Sequence, residues 1–203
     1  MSRQPFLHDL TCTLHAPIQA WSRRDGGMDP DGIAGIYCGD TRVARDVAVT
    51  VDGVDVEWIA TTEGPASTRF EYVLRVDFPG ADPVATLVRE RTAAADGVRE
   101  TLTLRSAEGP LDLTLTLRIT PDAAHMNLIK GGVADPTVPE VNGAAWTWHA
   151  GAGNAELIGD GQSAADTVGM HWQVAVPSNG HAQATWGLRL DDTSLPFVAA
   201  TAE

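Results

Sequence analysis

Alternation of apolar and polar residues with a period of two dominates this chain, and that period belongs to β-strands, where successive side chains point to opposite faces. Leu111-Asp112-Leu113-Thr114-Leu115-Thr116-Leu117 alternates without a break, and Val47 to Val51 and Val54 to Trp58 do the same on either side of Asp52-Gly53. Such segments offer one face to a core and the other to water. Asp-Gly between two alternating runs predicts a hairpin, because both residues tolerate positive φ. A second hairpin is expected from Leu87 to Leu104, closed by Asp96-Gly97. Further strands are expected at 10–15, 33–38, 69–78, 145–149, 154–159, 167–176 and 182–190, roughly twelve in all. Helical spacing is confined to a turn or two between Asp122 and Lys130. The stretch from Gly131 to Gly143, with Pro136 and Pro139, reads as an exposed loop. Short strands separated by Gly, Pro, Asn and Asp clusters describe an all-β chain folded as a large antiparallel β-sandwich.

With 203 residues and 43% hydrophobic content, the chain suffices for one such domain. We assign the sandwich to residues 1–190; after Leu190 periodicity ends, and residues 191–203 read as the start of a connection. Acidic residues outnumber basic ones 27 to 14, for a net charge of −13. Nucleic-acid binding needs a basic stripe, whereas the longest basic run here is Arg23-Arg24. The same deficit argues against an anionic membrane surface. No apolar run approaches the roughly 18–20 residues of a membrane span, and the start of the chain, Met1 to Pro5, lacks the apolar core of a signal peptide. Two cysteines, Cys12 and Cys38, are too few for a disulfide framework, so a cytoplasmic setting is expected.

Strand parity in the second hairpin carries the most information. A connection of two or four residues puts Arg91 opposite Glu100 or one step diagonal to it, with Leu87, Arg89, Leu102 and Leu104 on the same face. Arg89 and Arg91 would then need Glu100 as a buried partner. A three-residue loop would reverse the parity and turn all three to solvent, and contact with a ligand or partner is a third reading. Gly39-Asp40-Thr41-Arg42 joins two strands; Asp40 and Thr41 can cap local amides and Arg42 can fork onto a carboxylate, as a structural turn or facing a partner. The acidic stretch Asp25 to Gly32 fails the calcium-loop pattern, with glycine and proline at the wrong positions. Of six tryptophans, Trp172 and Trp186 alternate with aliphatic residues as core does, whereas Trp146 and Trp148 share one face of a short strand and are candidates for stacking on sugar rings. Motifs for nucleophilic, metal or nucleotide chemistry are missing, and the six histidines lie singly along the chain, so no catalytic residue, metal or cofactor is assigned.

Asp25-Gly26-Gly27-Met28 with Gly35-Ile36-Tyr37-Cys38-Gly39-Asp40-Thr41-Arg42, then Val51-Asp52-Gly53, then Leu87-Val88-Arg89-Glu90-Arg91 and Glu100 to Leu104, resembles the N-terminal domain of bacterial glycogen debranching enzymes of the amylo-α-1,6-glucosidase type. The resemblance is densest from about Leu10 to Lys130. It implies a supersandwich similar to galactose mutarotase, placed before an (α/α) barrel that holds the glycoside hydrolase chemistry of carbohydrate metabolism. This chain would be a non-catalytic accessory domain that packs on the barrel and shapes its cleft. Asp40, Thr41, Arg42, Arg89, Arg91 and Glu100 would be architectural or interdomain residues. Two alternatives stand beside it: a carbohydrate-binding module that recognises α-glucan through Trp146 and Trp148, and a small independent sugar-active enzyme.

Overall fold

The alternating segments assemble into two antiparallel sheets in a computed structural model, which describes residues 9–29, 32–76, 82–142, 145–151 and 153–192. In chain order the strands are β1 (Leu10–His15), β2 (Ile18–Arg23), β3 (Gly35–Cys38), β4 (Thr41–Val51), β5 (Asp55–Glu63), β6 (Ser67–Arg75), β7 (Ala85–Ala94), β8 (Gly97–Ser106), β9 (Leu111–Pro121), β10 (Glu140–Asn142), β11 (Ala145–Ala150), β12 (Gly153–Gly159), β13 (Gln162–Ser163), β14 (Gly169–Val176) and β15 (Gly180–Asp192). A five-residue helix, α1 (Met126–Lys130), follows β9. One sheet runs β1-β2-β3-β4-β9-β14-β13 and the other β10-β11-β12-β15-β8-β7-β6-β5.

Alternation decides what lies between the sheets. In β9, Leu113, Leu115, Leu117 and Ile119 are buried, while Asp112 and Arg118 face solvent. They join Phe70, Leu74, Leu87, Leu102, Leu104, Trp186 and Leu188 of the opposite sheet in one continuous core. Each such side chain contributes about 1.5–3 kcal/mol through burial. A smaller cluster of Tyr37, Ala124 and Ile129 lies apart from that core, with Trp21, Ile33 and Met126 packed against it, and ties α1 to β3.

The structure corrects the sequence reading at four places. Asp52-Gly53 does not close a hairpin: β4 pairs with β3 and β9, β5 pairs with β6, and the bend carries the chain from one sheet to the other. Asp52 donates its amide to Thr114 O at 2.9 Å, anchoring the corner to β9. Alternation tells which side of a strand is wet, but not which strand lies beside it. Second, the β7–β8 loop is Ala95-Asp96, and Gly97 opens β8 opposite Ala94. Glycine is needed there for another reason: φ is +143°, and a Cβ would sit 2.0 Å from Leu188 O of the neighbouring β15. Third, β2 escaped the pattern because its inward positions include Ser22 while Trp21 lies on the opposite face. Fourth, Asp191 and Asp192 belong to β15 and pair with Asn154 and Gly153, so the strand outruns the expected boundary at Leu190. Residues 193–203 of the expected connection lie outside the described residues, as do Met1 to Pro5.

Candidate functional site

The inner face of β7 and β8 carries charge into the core. The two-residue loop sets the parity so that Arg91 stands directly opposite Glu100 and Arg89 opposite Leu102. Glu100 accepts from Arg89 Nε through Oε1 and from Arg91 Nε through Oε2, the latter at 3.1 Å. Arg91 is 0% exposed, Glu100 1% and Arg89 4%. Both guanidinium groups lie over the Phe70 ring, 5.0 Å (Arg91) and 5.9 Å (Arg89) from its centroid. Burial by itself raises the Glu100 carboxyl, but the two arginines outweigh it and hold it below the usual carboxylate range. Burial pulls down both arginines; Glu100 reverses this for Arg89, which is raised, but not for Arg91, which stays lowered. Two cations and one anion leave one net positive charge in the core.

Two further donors of this group, from Arg91 and Tyr72, reach the loop between β2 and β3. Arg91 Nη2 donates to Gly26 O at 3.0 Å, and the Tyr72 hydroxyl donates to Asp25 O at 2.6 Å while accepting from Arg89 Nη1 at 3.4 Å. Gly26 has φ +74°, and a Cβ there would meet Tyr72 and Phe70 at 3.0–3.1 Å. Only glycine brings its carbonyl this close to Arg91. A second buried pair holds the other end of the same loop. Arg42 Nε donates to Asp122 Oδ2 at 2.6 Å, and Arg42 Nη1 donates to Gly32 O at 2.7 Å. Asp122 Oδ1 accepts the amides of Ala123, Ala124 and Asp135, so the pair also orders the chain leaving β9. Thr41 bridges to His125, and exposed Asp40 accepts the Met126 amide at 2.8 Å.

Two openings flank these groups. A cleft of about 280 Å³ runs along the loop, lined among others by Met28, Val56, Trp58, Tyr72 and Arg89. At the far end of the eight-stranded sheet, a groove of about 750 Å³ is lined by Val138, Glu140, Thr147, His149, Glu156 and Arg189, with Asp191 at the end of β15. Exposed aliphatic side chains gather in this part of the chain: Leu128, Val133, Val138 and Val141, with Val138 82% exposed.

The family model for the N-terminal domain of some glycogen debranching enzymes matches residues 14–193. The chain belongs to this family. Among solved structures, a chain described as a kojibiose phosphorylase from the human microbiome is similar to it with a TM-score of 0.51 and 9% identity, over 74% of this chain and 22% of that one. At that identity the likeness is one of fold, and this chain spans less than a quarter of that protein's length. No curated protein matches the sequence.

In this debranching-enzyme N-terminal domain, the residues singled out in the sequence form two groups. Arg89, Arg91 and Glu100 are one, and Arg42 is the centre of the other, with Asp40 and Thr41 beside it. Trp146 and Trp148 are corrected as stacking platforms: both are buried, 8% and 3% exposed, and Trp148 Nε1 donates to Val43 O at 2.8 Å across the sandwich. The sheet face they share is the inner one. Asp122, Tyr72 and Trp58 were missed. Asp122 directly follows Pro121 at the end of a strand, a position where aspartate caps backbone amides, and that signal was available. Tyr72 and Trp58 gave none, because their roles come from strands brought together by folding. Among the described residues, no group of three or more His, Cys, Asp or Glu side chains is placed to hold a metal, and no helix is long and apolar enough to cross a membrane.

Proposed function

We propose that this chain is the accessory, non-catalytic N-terminal domain of a cytoplasmic debranching-type α-1,6-glucosidase, that it occupies residues 1–192 and connects onward from there, and that it packs on an (α/α) barrel and shapes the barrel's cleft. The family match over residues 14–193 carries this reading. Side-chain chemistry supports it. The buried carboxylates among the described residues, Glu100 and Asp122, are both committed to arginines, which leaves neither as a general acid or base. Asp40, Thr41, Arg42, Arg89, Arg91 and Glu100 serve as architecture, fixing the β2–β3 loop and the chain around α1. The docking face is the groove beside β10, lined by exposed Val138 and the end of β15, with exposed Val141 on β10 itself. Exposed aliphatic residues around a polar groove are the usual composition of a surface covered in the assembled protein.

The coding sequence beyond residue 203 tests the arrangement: an open frame running into helical repeats is the expected result, and an immediate stop codon overturns it. Release of glucose from a branched dextrin by this chain alone would overturn the non-catalytic assignment.

A further inference from the structure

At the start of β15, the end away from the docking face, the outer surface of the eight-stranded sheet opens into a groove of about 490 Å³. One rung of three adjacent strands forms its floor: Thr86 of β7 stands directly opposite Arg105 of β8, and Arg105 directly opposite His181 of β15. All three point outward, because Leu87, Leu104 and Ala182 beside them in sequence pack against the core. The turn before β15, which Gly180 N closes onto Pro177 O at 3.1 Å, adds Asn179 to the lining. Its side-chain amide donates to Ser178 Oγ at 3.3 Å and has a second proton to give. Pro83, Val84 and Ala107 form an apolar wall.

Charge selects the guest. Arg69, Arg75, Arg99 and Arg189, on the same outer face, each pair with a carboxylate. Among the described residues, Arg105 forms no ion pair or side-chain hydrogen bond, and neither do Thr86 and His181. Its surroundings on the sheet are neutral: Val73 lies across from Thr86, and Val88, Thr103 and Gln183 make up the adjoining rung. Asp82 and Glu108, each next in sequence to a lining residue, do not line the groove themselves. In a chain with a net charge of −13, the groove therefore gathers four hydrogen-bond donors, two of them able to carry positive charge, with no carboxylate among its lining. Its volume suits a small molecule. A carboxylate guest would occupy the Arg105 fork alone, whereas the three terminal oxygens of a phosphoryl group can take Arg105, His181 and Thr86 together. We infer that this groove binds a phosphoryl group, as inorganic phosphate or as the head of a phosphate monoester. Arg105 and His181 hold its oxygens, and the organic part of a monoester lies along Pro83, Val84 and Ala107. The site goes beyond the accessory-domain reading and does not depend on a barrel being present.

Titration of the isotope-labelled chain at neutral pH and constant ionic strength, followed through its backbone amide resonances, tests it. Those of Arg105, Gly180 and His181 are expected to shift saturably with inorganic phosphate and with phenyl phosphate, and to stay in place with sodium chloride. Tighter binding of phenyl phosphate assigns the site to a monoester, and equal or weaker binding assigns it to inorganic phosphate. Arg105→Gln should weaken binding about tenfold or more, the loss of one charge-assisted contact, and His181→Gln should weaken it less. Both variants should melt as the wild type does, because both side chains are exposed. Absence of a saturable shift at millimolar concentrations of both phosphates overturns the proposal. So do equal shifts with chloride, which would reflect charge screening alone, and an Arg105→Gln variant with unchanged affinity. Failure here leaves the accessory-domain reading standing, and an immediate stop codon in the coding sequence leaves this one standing.

Discussion

Glu100 is the residue on which most of the buried charge depends. Removing its charge strands two guanidinium groups in the core, so Glu100→Gln is expected to lower stability by about 3–5 kcal/mol, measured by urea unfolding. Replacing all three charged residues with aliphatic ones of similar volume should be far milder, because no charge is then left unpaired. Acid sensitivity follows with a definite sign. The folded-state carboxyl lies below its unfolded value, so its contribution is complete above about pH 5 and is lost as pH falls from there toward the lowered folded value. Thermal melts between pH 6 and pH 2.5 should show this decline in the wild type, and a shallower one in Glu100→Gln. At this scale the sequence was informative: an arginine and a glutamate at matching parity on apolar strand faces implied a pair. Asp122 escaped because its partner Arg42 lies 80 positions away.

At the level of elements, the β2–β3 loop is held by interactions from both of its ends. Tyr72→Phe removes the hydroxyl's bond to Asp25 O and the longer one it accepts from Arg89 Nη1, so global stability should fall by about 1–2 kcal/mol. Hydrogen exchange at Gly26 and Gly27 should quicken much more than exchange in β7 and β8, since the loop opens locally. Uniform acceleration over all strands would show that the hydroxyl serves the core and not the loop. Gly97→Ala belongs to the same scale. Its backbone conformation is strained for any other residue, and a Cβ would collide with the β15 carbonyl, so a loss of more than about 1 kcal/mol with separation of β8 from β15 is expected by the same exchange measurement. Here the sequence signal was ambiguous in a physical sense. Asp52-Gly53 and Asp96-Gly97 look alike, yet the first is a corner between sheets and the second marks a close approach of two strands.

For the whole molecule, the exposed valines beside β10 bear on assembly. Substituting Val138→Glu together with Val141→Glu should leave the melting of this domain within about 0.5 kcal/mol of the wild type, because neither side chain is buried in it. In a chain that also carries the barrel, the same pair should separate the melting of the two domains, read by calorimetry. Cooperative melting that survives both substitutions would place the interface elsewhere.

The alternation of residues by itself determined the all-β class and the faces that turn inward, and left the parity of Arg89, Arg91 and Glu100 to the length of the β7–β8 loop. Class and faces are local consequences of a backbone whose side chains alternate every residue. Tertiary structure alone decided that β4 and β5 part into different sheets, that Trp146 and Trp148 are covered while Trp58 is open, and that two buried pairs grip one loop. Each of these depends on which distant strands become neighbours, and a pattern of period two is the same whichever neighbour a strand acquires.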